Sequence, residues 1–136
     1  MTIETLGYAR WTLAQVTAHV RRVDGRLVDV RLQPYSSKPG FRKPDLAAEL
    51  GDRYRHVPAF GNENYDGGPI QLRNVWRGLS QLQSDDLPPV LVLMCGCADW
   101  RSCHRRLVAN HLADAFDAEV EHLSPPGHPS QPSLFD

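Results

Sequence analysis

The 136-residue sequence has no apolar run long enough to cross a bilayer, no surplus of charge and only three cysteines. A spanning helix needs about 20 consecutive apolar residues, so a helical membrane protein is excluded. The amino-terminal segment Met-Thr-Ile-Glu-Thr-Leu-Gly has no basic stretch leading into an apolar core. No secretory signal and no membrane partner are therefore expected, and the expected location is the cytoplasm. A formal charge of -1 supplies no overall field drawing the chain to nucleic acid, which leaves only a local basic face for that purpose. Three cysteines within nine positions do not make the framework of a secreted disulfide protein. In a reducing compartment such a cluster points to catalysis, metal or chance.

Those cysteines lie in the stretch that organises the chain, Val90 to Arg106, which reads Val-Leu-Val-Leu-Met-Cys-Gly-Cys-Ala-Asp-Trp-Arg-Ser-Cys-His-Arg-Arg. The run from Val90 to Met94 is short, β-rich and preceded by two prolines, which predicts a strand buried on both faces. Leu107, Val108, His111, Leu112, Ala115 and Phe116 then recur at helical spacing. Strand, polar loop and helix follow in that order.

The rest of the chain repeats the plan. Ile3 to Tyr8 reads as a strand in which Gly7 would let another backbone approach. Thr12 with Gln15 forms a capping-box pattern ahead of Leu13, Val16, Val20 and Val23, a helix broken at Gly25. Arg26 to Arg31 reads as a strand with Asp29 and Arg31 on one side. A long loop to Pro44 carries Ser36 and several cations, and Pro44 opens a short helix stopped at Gly51. Tyr54 to Val57 is a strand, Pro58 to Pro69 a loop, and Ile70, Val75, Leu79 and Leu82 a helix. Glu119 to Leu123 closes the series. The alternation predicts a single α/β domain over residues 1–123, flavodoxin- or Rossmann-like, with a mostly parallel sheet of about five strands and helices on both faces. Ligands in such sheets sit beyond the carboxyl ends of the strands. That rule gathers Gly7, Tyr8, Asp29, Arg31, Ser36, His56 and the Cys95 to Arg105 loop along one edge.

The loop chemistry admits several readings. A helix beginning at Cys103, His104 and Arg105 presents unpaired N–H groups that favour an anion and a thiolate, with Arg31 and Arg105 as clamps for phosphate or carboxylate. Gly7, Tyr8, Ser36 and His56 complete the expected ligand-binding set. Cys97 or Cys103 is the candidate nucleophile, with His104 as acid or base and Asp29 beside them. Cys95 followed by Arg101 has the spacing of cysteine-dependent phosphatases, but the intervening residues lack a glycine-rich cradle and include the bulky Trp100. Cys95, Cys97, Cys103 and His104 are also possible zinc ligands, although their spacings differ from the usual Cys-x-x-Cys knuckle. No cofactor is required, and zinc is the one the residues allow. Each residue also has a plain structural use. Cys95 fits a buried strand end, and Asp29 with Arg31 fits an internal ion pair.

Thr5-Leu6-Gly7-Tyr8, Leu27-Val28-Asp29-Val30-Arg31 with Pro34 and Ser36, Tyr54-Arg55-His56-Val57-Pro58, and Cys95-Gly-Cys-Ala-Asp with Cys103-His104-Arg105-Arg106 together resemble a bacterial family known only as domain of unknown function 488. The resemblance implies a compact α/β domain with these motifs at one edge, and it implies no reaction. The family's glycine-rich stretch after the Tyr-x-His-x-Pro motif is replaced here by Phe60-Gly61-Asn62-Glu63-Asn64.

From Ser124 the chain becomes proline-rich, which predicts an extended tail over residues 124–136. It ends in Gln131-Pro132-Ser133-Leu134-Phe135, similar to the peptide by which bacterial DNA polymerases and repair proteins dock on the sliding clamp. Leu134 and Phe135 would enter an apolar groove and Gln131 would make polar contacts. The expected function is thus an accessory role in DNA replication or repair, with a phosphate-bearing ligand, nucleotide or DNA, at the Cys/His/Arg edge. The alternatives are a nucleotide- or anion-specific enzyme with a cysteine nucleophile, and a cysteine-based metal or redox protein.

Overall fold

The computed structural model describes residues 1–127 of the chain. Five parallel strands form one sheet: β1 (Thr2–Gly7), β2 (Arg26–Asp29), β3 (Tyr54–His56), β4 (Val90–Cys95) and β5 (Glu119–His122). Four helices connect them, α1 (Leu13–Arg22), α2 (Lys43–Leu50), α3 (Val75–Gln83) and α4 (His104–Phe116). The strand order is β3-β2-β4-β1-β5, so the apolar run from Val90 is the central strand.

Local signals set the helix boundaries. Thr12 Oγ1 accepts from the Gln15 N–H at 3.1 Å and Gln15 Oε1 from the Thr12 N–H at 2.9 Å, the reciprocal cap read from the sequence. The second helix stops at Gly51, whose φ of +53° is open to glycine and costly for most other residues. The third begins later than the apolar spacing suggests. Ile70 lies outside it, and the Asn74 side chain caps it by accepting from the Arg77 N–H.

Alternation along β4 divides the core. Leu91, Leu93 and Cys95 face one cluster with Leu79, Leu82, Val108 and Leu112 from α3 and α4. Val92 and Met94 face the other, with Val16, Val20, Leu46 and Leu50 from α1 and α2. The chain therefore leaves β1 and β2 toward one face of the sheet and leaves β4, which lies between them, toward the other. A crevice opens where neighbouring strands diverge in this way, at the carboxyl ends of β1, β2 and β4. No helix among the described residues is long and apolar enough to cross a membrane.

Candidate functional site

The crevice holds a cavity of about 610 Å³, within the range of small-molecule sites. Cys95, Gly96 and Cys97 form part of its wall at the end of β4, with Ser102, Cys103 and His104 at the start of α4. The loops after β2 and β3 close the opposite side with Tyr35, Asn62, Asn64 and Tyr65.

All three cysteines are free; Cys95 and Cys103 are buried and Cys97 is exposed. The Cys95 and Cys103 sulfurs lie 2.8 Å apart, and His104 Nδ1 lies 3.7 Å from Cys103 Sγ. His104 Nε2 is 2.8 Å from the Val30 carbonyl. That carbonyl can only accept, so Nε2 carries a hydrogen and donates it, and Nδ1 is the atom on the sulfur side. The ligand atoms of Cys95, Cys103 and His104 all fall within 4.8 Å of one another, and this cluster could hold a metal ion. The thiols differ sharply. Burial, then hydrogen bonding with Cys103, drives Cys95 well above the usual thiol range. The Cys103 thiol is favoured as thiolate by its hydrogen bond with Cys95, but Cys97 and burial outweigh this and raise it. Cys97 is pulled far down, first by hydrogen bonding with Cys103, then with Cys95, against the opposing effect of burial.

Gly7 pairs with Cys95 across β1 and β4 and makes room for the loop. A Cβ built on Gly7 would stand 1.5 Å from the Cys97 carbonyl oxygen and 2.9 Å from Arg105 Nη1. The approaching backbone anticipated at this glycine is the cysteine loop itself. Gly7→Ala is expected to push Cys97 away and destabilise the fold by about 1–3 kcal/mol, measured as a lower denaturant midpoint. An unchanged midpoint would show that the loop can shift freely.

Arg105 is 1 % exposed and turned into the protein. Its guanidinium donates to the Cys97 carbonyl at 2.7 Å, to Cys95 Sγ at 3.2 Å and to Thr5 Oγ1 at 3.3 Å. The Thr5 hydroxyl also meets His122 Nδ1 at 2.6 Å. Asp29, fully buried, accepts two hydrogen bonds from the Arg31 guanidinium and one from the Tyr54 hydroxyl at 2.7 Å. Arg31 donates again to the Phe41 carbonyl. Burial opposes the Arg31 charge, yet the hydrogen bond and charge of Asp29 outweigh it and hold the guanidinium above its ordinary range. Burial first, then Asp29, raises Tyr54 and keeps it a donor.

The other expected ligand-binding residues stand back from the cavity. Tyr8 is buried, stacked on Phe41 with ring centroids 4.5 Å apart. Ser36 Oγ caps a turn by accepting from the Lys38 N–H. His56 Nε2 donates to the Arg31 carbonyl at 2.8 Å. Burial is the largest effect lowering both His56 and His122, the latter helped by the charges of Arg105 and Arg106. Below the ordinary histidine pKa of 6.5 the unfolded chain takes up protons that these two folded rings resist. Their contribution to stability is complete above that pH and is lost as the pH falls toward the lowered folded values. Melting temperatures from pH 7.5 to 5 should therefore decline, and a shallower decline for His56→Gln would identify its share.

Sequence reasoning passed over Thr5, Tyr54, Gln33, Tyr35 and Ser102. Threonine and tyrosine inside strands look like ordinary β formers. The Tyr54 role follows only from its pairing with Leu27, which sets it near Asp29.

Fold and site together define an α/β protein with a thiol–imidazole cavity at the carboxyl edge of its sheet. Residues 13–77 match the model of a family described as domain of unknown function DUF488, which supports that resemblance from α1 into α3. The matched span includes Asp29, Arg31, Tyr54 and His56 and ends before the cysteines. No curated protein and no solved structure matches the chain.

Proposed function

We propose that this domain is a metal-dependent small-molecule enzyme, with zinc held by Cys95, Cys103 and His104 in the wall of the cavity. The observation that carries this reading is the seating of His104. Its Nε2 hydrogen is fixed on the Val30 carbonyl while Nδ1 faces the sulfurs, the outer hydrogen bond that metal-bound histidines characteristically make. Two thiolates and an imidazole form a soft donor set suited to zinc. Arg105, donating to Cys95 Sγ, would favour the deprotonated sulfur such a site needs. The open cavity leaves access for a ligand, and exposed Cys97 beside it is either a fourth ligand or the nucleophile. Zinc in this place would supply Lewis-acid polarisation of a ligand oxygen or bound water.

The alternative of a phosphate clamp made by Arg31 and Arg105 has less support, because both guanidiniums already have partners inside the protein. Elemental analysis of protein purified without added metal is expected to find one zinc per chain, with most of it lost in Cys103→Ser. Metal-free protein that refuses added zinc would remove the reading.

The sliding-clamp peptide, Gln131 to Phe135, lies outside the described residues. Its residue pattern supports a further proposal, that the tail docks the domain on the bacterial clamp and places its chemistry at replication or repair. Replacing Leu134 and Phe135 by alanine should weaken clamp affinity roughly tenfold or more in a pull-down or surface-binding assay. Equal retention of both proteins would dismiss the docking.

A further inference from the structure

The wall opposite the cysteines has a composition that the metal chemistry does not explain. Tyr35 and Tyr65 both line the cavity, yet are 64 % and 60 % exposed. Neither ring stacks on another aromatic ring among the described residues. Arg42 lies over the Tyr35 ring, its guanidinium carbon 4.8 Å from the centroid. Tyr35, with Arg42 over one face, and Tyr65, with no ring or cation stacked on it among the described residues, offer flat apolar surface to whatever enters.

The same cavity is lined by three side-chain amides, two of them oriented by their own bonds. Asn62 Oδ1 accepts from the Asn64 and Gln71 N–H groups, so its Nδ2 is left as a donor. Asn64 Nδ2 donates to the Pro69 carbonyl, so its Oδ1 is left as an acceptor. The Gln33 amide has no hydrogen bond among the described residues and offers both. Among the described residues no Asp, Glu or Lys lines the cavity, and its one arginine, Arg31, is paired with Asp29. The wall therefore suits a ligand that is flat, uncharged and supplied with both donors and acceptors.

We propose that the cavity takes a neutral planar heterocycle of the nucleobase class, stacked on Tyr35 or Tyr65 and read by Gln33, Asn62 and Asn64. This rests on the reading of the cavity as the ligand site. It concerns recognition only. Zinc deamination of bases uses the same kind of donor set but also a glutamate as acid and base, and no carboxylate lines this cavity among the described residues.

The experiment is calorimetric titration of the full chain with adenosine, guanosine, cytidine, uridine and thymidine, with ribose and inorganic phosphate as controls. At least one nucleoside should bind one to one while ribose and phosphate do not. The double variant Tyr35→Leu, Tyr65→Leu should retain its melting temperature and lose at least about tenfold in affinity, the scale of base–aromatic stacking. Failure of all five nucleosides at millimolar concentration would overturn the proposal, as would equal binding of ribose or phosphate, or unchanged affinity in the folded double variant. Metal content, measured on the same samples, separates the two readings. Nucleoside binding by metal-free protein leaves this inference standing and removes zinc, and stoichiometric zinc without nucleoside binding does the reverse.

Discussion

Replacement of Asp29 by alanine should destabilise the domain by about 3–5 kcal/mol, the usual cost of breaking a buried ion pair. The carboxylate is 0 % exposed and its Arg31 partner 7 %. Removal would strand a charged guanidinium among Tyr8, Phe41 and the strand ends, together with a Tyr54 hydroxyl deprived of its acceptor. Arg31 cannot shed its proton, and its backbone carbonyl is the acceptor for His56, so movement of Arg31 would also disturb that ring. The expected drop in melting temperature is roughly 10 °C or more. Asp29→Asn should cost less, since an amide oxygen still accepts. A drop of only a degree or two for Asp29→Ala would mean that Arg31 reaches water when released.

Metal removal should have an effect of similar size. A ligand that binds only the folded state adds about 2.7 kcal/mol of stability at one hundred times its Kd and about 4.1 kcal/mol at one thousand times. The proposed ligands join the end of β4 to the start of α4, and His104 ties that junction to Val30 after β2. A strong chelator should therefore lower the melting temperature of the intact protein by roughly 10 °C, with recovery on adding zinc. The Cys103→Ser variant should melt near the chelated value and ignore the chelator. Wild-type protein that melts identically with and without chelator would contradict the expectation.

Much of this arrangement is legible in the sequence because it rests on local rules. Pleat alternation puts Leu91, Leu93 and Cys95 on one face of β4, and a capping box starts α1 at Thr12. Short β-rich runs alternating with helical spacing give a parallel sheet, whose ligand edge gathers the cysteines, Asp29 and Arg31. The partners of the two arginines are less accessible to such reasoning. Arg105 reaches Thr5 and Arg31 reaches Phe41 only because register and packing bring distant segments together. Their identity as arginine suggests an external anion clamp, but burial turns them toward carbonyls, a thiol and a carboxylate. The Val30 and Cys97 carbonyls have no signature at all, since every residue carries one. The tyrosine and amide wall depends on two loops whose meeting is a tertiary event, and Ile70 joins that wall instead of α3.

Cobalt substitution tests the zinc site most directly. Apoprotein titrated with Co²⁺ should develop thiolate-to-metal charge-transfer absorption and the intense visible bands of a four-coordinate ion, saturating at one equivalent. The thiolate bands should weaken in Cys95→Ser and Cys103→Ser, and His104→Ala should alter the visible bands. A titration that yields only the faint spectrum of hydrated cobalt, at a protein concentration far above that of free metal, would contradict the site.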